Sequence, residues 1–165
     1  MKTLYIVRHA KSSWVDFSQD DFDRTLDARG KHDLPLMGAE LKRLGVNPDY
    51  IISSPAVRAI TTARGLASAL GFDESNIDLH PNTYESSAEE MLKSIKTVPE
   101  NVDQLMIVGH NPSVSYLVSD LANDWLHKYS TCGCYAIEFE EGSWKNILKG
   151  KKKFWVYPKL FSWSI

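Results

Sequence analysis

The sequence has little cysteine and no excess of charge of either sign. Cys132 and Cys134 are its only cysteines, and they lie two positions apart. In a strand, that spacing suits neither a relaxed disulfide nor the usual ligand pattern of a zinc ribbon. We therefore expect two reduced thiols packed in a strand, as is common in the cytosol. The formal net charge of −2 provides no overall basic field that would attract nucleic acid.

Long hydrophobic runs are also missing. Only four strongly apolar residues, Leu4 to Val7, precede Arg8, which is too few for a signal-peptide core or a membrane span. We expect a cytoplasmic protein that binds neither membrane nor nucleic acid. The run Lys149 to Lys153 could be a basic patch for such a partner, but with this net charge a solvated turn before an edge strand is the favoured interpretation.

The length allows one sizeable hydrophobic core. The chain has 165 residues, of which 43% are hydrophobic, and it contains no internal repeat or low-complexity linker. We predict a single domain over residues 1–165. Short apolar runs alternate with helical stripes, a pattern typical of parallel strands joined by right-handed crossovers. The predicted fold is α/β: a mostly parallel central sheet with helices on both faces and an antiparallel C-terminal edge formed by residues after Cys134.

Chemically useful side chains follow several of these strands. The first run, Leu4 to Val7, ends at Arg8 and His9, and the fourth, Gln104 to Gly109, ends at His110. The second, Tyr50 to Ile52, is followed by a helix with Arg58 in its first turn, and Glu85 follows the third. Because the carboxyl ends of parallel strands meet at one edge, we expect these side chains around one crevice.

This set of side chains favours a phosphoryl substrate. Two guanidinium groups match the charge of about −2 on a phosphate near pH 7, and each can bind it through two hydrogen bonds. Neighbouring cations lower the pKa of an imidazole below its usual value of about 6.5, which keeps it neutral and nucleophilic. One histidine could then attack phosphorus while the other donates hydrogen bonds to the oxygens.

Three separated motifs make the pattern more specific. The strings LYIVRHAKS, SSPAVRAITTA and VGHNP occur in this order at three strand ends, and together they resemble the histidine phosphatase superfamily. The segments RHAKSSW and DRTLDARG, and the absence of a long insertion around Glu85 that could form a lid, are similar to the small SixA-type phosphohistidine phosphatases. The resemblance extends to the closing TCGCYAIEFEEGSW and YPKLF segments and implies a phosphoglycerate mutase-like fold.

The resemblance also implies roles for individual residues. His9 would be the nucleophile, Arg8 and Arg58 the phosphate clamps and His110 the second phosphate-binding histidine. Glu85 is the nearest candidate for a proton donor. Mutase-like relatives often carry Asn after the Trp of the first motif, whereas Val15 follows Trp14 here, so one polar phosphate contact is missing or replaced.

The predicted function is hydrolysis of phosphohistidine on a partner protein, such as a phosphorelay domain, through a phosphohistidine on the enzyme, with no metal or cofactor. An imidazole leaving group needs less protonation than an alkoxide, which suits a site whose acid is uncertain. One alternative is a phosphatase of the same superfamily that acts on small phosphate monoesters, phosphoserine or phosphothreonine. A non-enzymatic phosphate-binding module and a metal hydrolase using His9, His110 and His80 are further alternatives.

Overall fold

The computed structural model describes residues 1–14 and 18–161. Strands and helices alternate from the amino terminus to the fourth helix, and two strands follow. The strands are β1 (Lys2–Arg8), β2 (Tyr50–Ser53), β3 (Asp78–Leu79), β4 (Gln104–Gly109), β5 (Cys134–Phe139) and β6 (Lys151–Val156). The helices are α1 (Ala28–Arg43), α2 (Val57–Leu70), α3 (Ala88–Lys96) and α4 (Ser113–Ala122).

In the described residues the strands form one sheet, in the order β3-β2-β4-β1-β5-β6. The first four strands are parallel, because β4 pairs in parallel with both β1 and β2, and β2 pairs in parallel with β3. Strand β5 runs antiparallel to β1, and β6 runs antiparallel to β5. The predicted mostly parallel sheet with an antiparallel C-terminal edge is therefore confirmed.

Each face of the sheet is covered by a pair of helices. Successive side chains of a strand point to opposite faces, and in β1 Leu4 packs in one hydrophobic cluster while Tyr5 packs in the other. Helices α3 and α4 contribute to the first cluster, and α1 and α2 contribute to the second. Strand β1 is consequently buried on both sides, so its carboxyl end is held rigidly beneath the surface of the molecule.

Asp27, and Ser87 with Glu90 three residues later, are residues that typically cap helices, and both caps are observed. Asp27 accepts a hydrogen bond from the Gly30 amide at 2.8 Å, and Ser87 with Glu90 forms a capping box at the start of α3. Such caps each contribute about 1 kcal/mol to stability. Helix α2 ends at Gly71, whose φ of 75° is the left-handed conformation that glycine adopts at low cost.

Two expectations about the strands need correction. The run Ile77 to His80 predicts a four-residue third strand, but β3 comprises only Asp78–Leu79, because short 3-10 turns flank it at Glu74–Asn76 and Pro81–Thr83. The two cysteines are buried and form no disulfide, but only Cys134 lies in a strand. Cys132 adopts a positive φ of 61° in the turn before β5, where its amide donates to the carbonyl groups of Arg8 and His9.

None of the helices within residues 1–14 and 18–161 combines the length and hydrophobicity that a membrane crossing requires. The lysines of β6, Lys151 to Lys153, are exposed on the last strand of the sheet. This agrees with the interpretation of that basic run as a solvated, lysine-protected edge.

Candidate active site

Four side chains from three strand ends line one cavity of about 410 Å³. Arg8 and His9 come from the end of β1, Arg58 from the first turn of α2 and His110 from the residue after β4. The predicted convergence of these four residues is confirmed. It follows from the parallel order of β1, β2 and β4, which brings their carboxyl ends to one edge of the sheet.

Backbone hydrogen bonds fix the end of β1 from several directions. The His9 amide donates to the Gly109 carbonyl of β4 at 3.1 Å, and the Arg8 amide donates to the Gly133 carbonyl at 3.1 Å. The Ala10 amide donates to the Thr62 hydroxyl at 2.9 Å, and that hydroxyl donates in turn to the Arg58 carbonyl at 2.8 Å. Thr62 therefore connects the first strand end to the helix turn that carries Arg58.

The ring of His9 is buried and held in one orientation. It is only 7% exposed, and its Nδ1 lies 2.7 Å from the carbonyl oxygen of Ala10. Because a carbonyl oxygen only accepts hydrogen bonds, Nδ1 carries the proton and Nε2 keeps its lone pair. Burial, followed by the charges of His110, Arg58 and Arg8, lowers the pKa of His9 to about 3. The ring is therefore neutral at physiological pH.

His110 lies beside His9, with the two ring centroids 5.1 Å apart. Its Nε2 is 2.7 Å from the Ser54 hydroxyl, which also accepts from the Ala56 amide. A hydroxyl that donates to Nε2 leaves the ring proton on Nδ1, where it can be donated to an anion. Burial and the charge of Arg58 lower the pKa of His110 to about 4.

Several buried hydrogen-bond donors of the site have no acceptor within the described part of the protein. Among the described residues, the buried side-chain nitrogens that have no hydrogen-bond partner are Arg8 Nε, Arg58 Nε and His110 Nδ1. All three belong to residues that line the cavity. Buried donors in folded proteins nearly always have acceptors, so this cluster fits an anion that presents several oxygens, as a phosphoryl group does.

The two arginines are held by different partners. Arg8 Nη1 donates to the Tyr129 carbonyl at 2.6 Å, and burial lowers the pKa of this guanidinium. Arg58 is held by two hydrogen bonds to Asp21. Arg58 Nη1 donates to the Asp21 carbonyl at 2.7 Å, and Arg58 Nη2 donates to the Asp21 carboxylate at 3.0 Å. Asp21 lies in the polar stretch of residues 11 to 27, which has no periodic pattern, so the sequence carries no local signal for this contact.

Asp21 also joins Arg24 and Tyr84 to the site. Its carboxylate accepts from Arg24 Nη1 at 2.9 Å and from the Tyr84 hydroxyl at 2.8 Å. Burial raises the pKa of Asp21, but these hydrogen bonds and those from Arg58 outweigh it and lower the pKa to about 2. Asp21 is thus a carboxylate at neutral pH, and we assign it as a positioning residue for Arg58.

Replacing Asp21 with alanine should lower kcat by about ten- to hundredfold, because Arg58 would lose both contacts that orient it and small misplacements are costly. Asp21→Asn should recover part of this loss, since its amide oxygen can still accept from Arg58. The control is Asp23→Ala, which removes an exposed carboxylate of the same turn. Equal kcat values for Asp21→Ala and Asp23→Ala would show that Asp21 does not position Arg58.

Arg24 closes the rim of the cavity on the side of the first loop. It stacks on Trp14, with its guanidinium carbon 3.2 Å from the ring centre, and its Nε donates to the Ser13 carbonyl at 3.1 Å. Val15, the residue that departs from the mutase-like pattern, lies outside the described residues. Any effect of that departure on the phosphate contacts therefore stays a prediction.

Two candidates from the sequence lie outside this cavity. Glu85 is exposed, has a positive φ of 51° and is not among the residues that line the cavity. The adjacent Tyr84 does reach the site, with its ring centroid 5.5 Å from that of His110.

His80 packs near Ser94 and caps a short turn through its Nδ1. Within the described chain, no group of three or more potential ligands is placed to hold a metal ion.

The neutral histidines make stability depend on pH. Both have folded-state pKa values below the usual 6.5, so the unfolded chain binds more protons in acid and stability falls as the pH drops below about 6.5. Each histidine should contribute a slope of about 1 kcal/mol per pH unit between about pH 4 and pH 6.5. Urea unfolding at several pH values should therefore show a shallower acid decline for His9→Gln than for wild type.

The matched control for that titration is His127→Gln, which replaces an exposed histidine. Its pH profile should overlay that of the wild type. A His9→Gln profile that also overlays the wild type would mean that His9 is protonated to the same extent in the folded and unfolded chain.

Sequence comparisons agree with the motifs. The family model described as histidine phosphatase superfamily (branch 1) matches residues 4–100. An uncharacterised chloroplast protein of Arabidopsis thaliana is 31% identical over 152 residues, which cover 87% of this chain and 69% of that protein. An uncharacterised protein of Mycobacterium tuberculosis is 32% identical over 119 residues, which cover 71% of this chain and 70% of that protein.

Comparison with solved structures identifies the fold. The protein histidine phosphatase SixA, solved with tungstate, superposes with a TM-score of 0.83 at 21% identity, covering 96% of this chain and 98% of that one. A phosphoserine phosphatase of Entamoeba histolytica, solved with 3-phosphoglyceric acid, has a TM-score of 0.68 at 16% identity, covering 94% of this chain and 96% of that one. The fold is therefore the phosphoglycerate mutase-like fold of SixA.

Proposed function

Since the chain belongs to the histidine phosphatase superfamily, we propose that it hydrolyses phosphohistidine on a partner protein and that His9 carries the phosphoryl group between two steps. The fold and the family support a phosphatase. The finer proposal concerns the leaving group, and it depends on which acids surround His9.

The single observation that carries the proposal is the lack of a suitable proton donor in the described part of the site. Within residues 1–14 and 18–161, Asp33 is the one carboxylate that lines the cavity, and it pairs with Arg29 at 3.5 Å. Asp21 has a pKa of about 2 and holds no proton at neutral pH. Glu85, the donor that the resemblance suggests, is exposed and lies outside the cavity lining.

Such a site favours a leaving group that needs little protonation. A positioned acid is worth about 10² to 10⁴ in rate when the leaving group is strongly basic, as an alkoxide is. An imidazole leaving group is far less basic. The hydrolysis rate of a phosphoramidate therefore falls little when no acid protonates the leaving group. The SixA structure that superposes on this chain is described as a protein histidine phosphatase, which supports the same substrate class.

The first step forms a bond between His9 Nε2 and phosphorus and breaks the bond between phosphorus and the imidazole nitrogen of the partner. That nitrogen keeps the bonding electrons and takes a proton from water. Arg8, Arg58 and the Nδ1 proton of His110 stabilise the charge on the phosphoryl oxygens. In the second step water attacks phosphorus and loses a proton to the hydroxide left by the first step, the bond to His9 Nε2 breaks with its electrons remaining on Nε2, and inorganic phosphate leaves.

Substrate profiling tests this proposal. We expect rapid phosphate release from a histidine-phosphorylated relay domain and much slower release from an aryl phosphate and from a phosphoserine peptide. A chelator should change none of these rates, because no step uses a metal. Brisk, His9-dependent cleavage of the aryl phosphate combined with slow action on the relay domain would assign the protein to small esters instead.

A further inference from the structure

The cavity around His9 concentrates positive charge. Although the whole chain has a net charge of −2, seven of its 19 lysines and arginines line this one cavity. Among the described residues, Asp33 is the one carboxylate in the lining. The electrostatic potential in the cavity is therefore strongly positive, because more cations contribute to it than the two phosphate-binding arginines alone.

Four of the seven cations already have roles. Arg8 and Arg58 together balance the charge of about −2 on a phosphoryl group. Arg24 forms an ion pair with Asp21 at 2.9 Å, and Arg29 pairs with Asp33 at 3.5 Å. These interactions account for the phosphoryl group and for the nearby carboxylates.

The other three cations are Lys11, Lys128 and Lys159, which we call the lysine rim. All three are exposed, and none of their side-chain ammonium groups has an ion-pair or hydrogen-bond partner within residues 1–14 and 18–161. They come from three separate segments: Lys11 follows β1, Lys128 precedes β5 and Lys159 lies in the turn Pro158–Leu160. Their convergence on one cavity mouth requires the folded chain.

We propose that the lysine rim binds acidic side chains that flank the phosphohistidine of the partner protein. This inference rests on the proposed function and names the surface chemistry of its substrate. Lysine ammonium groups are flexible, hydrated point charges that suit dispersed carboxylates, whereas a second phosphate held in the pocket would favour the planar fork of arginine.

A protein surface also fits the neighbouring aromatic side chain. Trp14 lines the same cavity mouth and is 66% exposed, with its ring held in place by Arg24. Tryptophan and arginine are the residues that most often anchor protein interfaces. Complementary charge around such an anchor accelerates association and selects partners, and both effects weaken with salt.

Two phosphohistidine peptides test the proposal. One carries Asp and Glu on both sides of the phosphohistidine, and the other carries Asn and Gln at the same positions. For wild type at low salt we expect kcat/KM to be at least about tenfold higher for the acidic peptide, mainly through KM. This advantage should largely disappear at about 1 M salt, where charges are screened within about 3 Å.

Matched variants identify the residues responsible. The triple variant Lys11→Gln, Lys128→Gln, Lys159→Gln should lose the preference for the acidic peptide and keep its turnover of the neutral one. The control variant Lys151→Gln, Lys152→Gln, Lys153→Gln removes equal charge from the exposed edge strand β6 and should keep the preference. A preference that survives in the rim variant, or equal rates on both peptides with wild type, would overturn the proposal.

The outcomes also separate this inference from the proposed function. Hydrolysis of both phosphohistidine peptides at equal rates would leave the function standing and remove the acidic partner. If neither is hydrolysed, the proposed function fails, and the same acidic and neutral pair made with phosphoserine then decides the role of the lysine rim. If a small sugar bisphosphate were hydrolysed faster than either peptide, the proposal that the lysine rim binds a protein surface would be overturned.

Discussion

Replacing His9 with alanine should reduce phosphate release from a phosphohistidine protein by at least about 10⁴-fold. The reason is that no other side chain in the described cavity combines a neutral imidazole with a free Nε2 at the end of a rigid strand. His110 cannot substitute, because its Nε2 lies 2.7 Å from the Ser54 hydroxyl. Losses of this size are typical when the nucleophile of a covalent mechanism is removed. Single-turnover assays with labelled substrate measure the effect.

His9→Gln provides a second measurement that is less sensitive to folding. It keeps most of the side-chain volume at a position that is 7% exposed, so circular dichroism should show an unchanged fold. His127→Ala, at an exposed position, is the control and should retain full activity. Substantial turnover by His9→Gln, with the fold intact, would exclude His9 as the nucleophile.

Arg8→Lys should lower kcat/KM by about 10²-fold and raise the inhibition constant of inorganic phosphate in parallel. Lysine keeps the charge but lacks the planar guanidinium group. In Arg8 that group donates to the Tyr129 carbonyl through Nη1 and keeps Nε available for the phosphoryl group. Arg8→Ala should lose more, about 10³-fold, as expected when a donor to transition-state oxygens is removed. Steady-state kinetics with phosphate as a competitive inhibitor measure both effects.

The control for this change is Arg43→Lys, which replaces an exposed arginine paired with Glu40 at the end of α1. It should leave both constants unchanged. If Arg8→Lys bound phosphate as tightly as wild type and kept its kcat, the guanidinium of Arg8 would have no part in holding the phosphoryl group, and the charge-balance argument for the site would fail.

Much of this site could be predicted because its signals are local. Arg8, His9, Arg58 and His110 each stand within a few residues of a buried strand, and parallel strands bring their ends together whatever the intervening loops do. The caps at Asp27 and Ser87 depend only on residues three positions away. Burial on both faces of β1 follows from its uninterrupted apolar run.

The remaining features depend on contacts between distant segments. Asp21 meets Arg58 across 37 positions of sequence, and it belongs to a polar loop with no periodic pattern. Glu85 lies outside the cavity lining, and its backbone is left-handed with a φ of 51°, which an acidic side chain does not signal. The lysine rim is assembled from three segments whose lysines look like ordinary solvated residues along the chain.

The most direct test of the account is to mix wild-type protein with a relay domain carrying labelled phosphohistidine, stop the reaction within the first turnover and locate the label. We expect transient, acid-labile label on His9 that appears before inorganic phosphate and then declines as phosphate is released. Release of labelled phosphate with no label on His9 at any time would contradict it, because water would then attack the substrate directly.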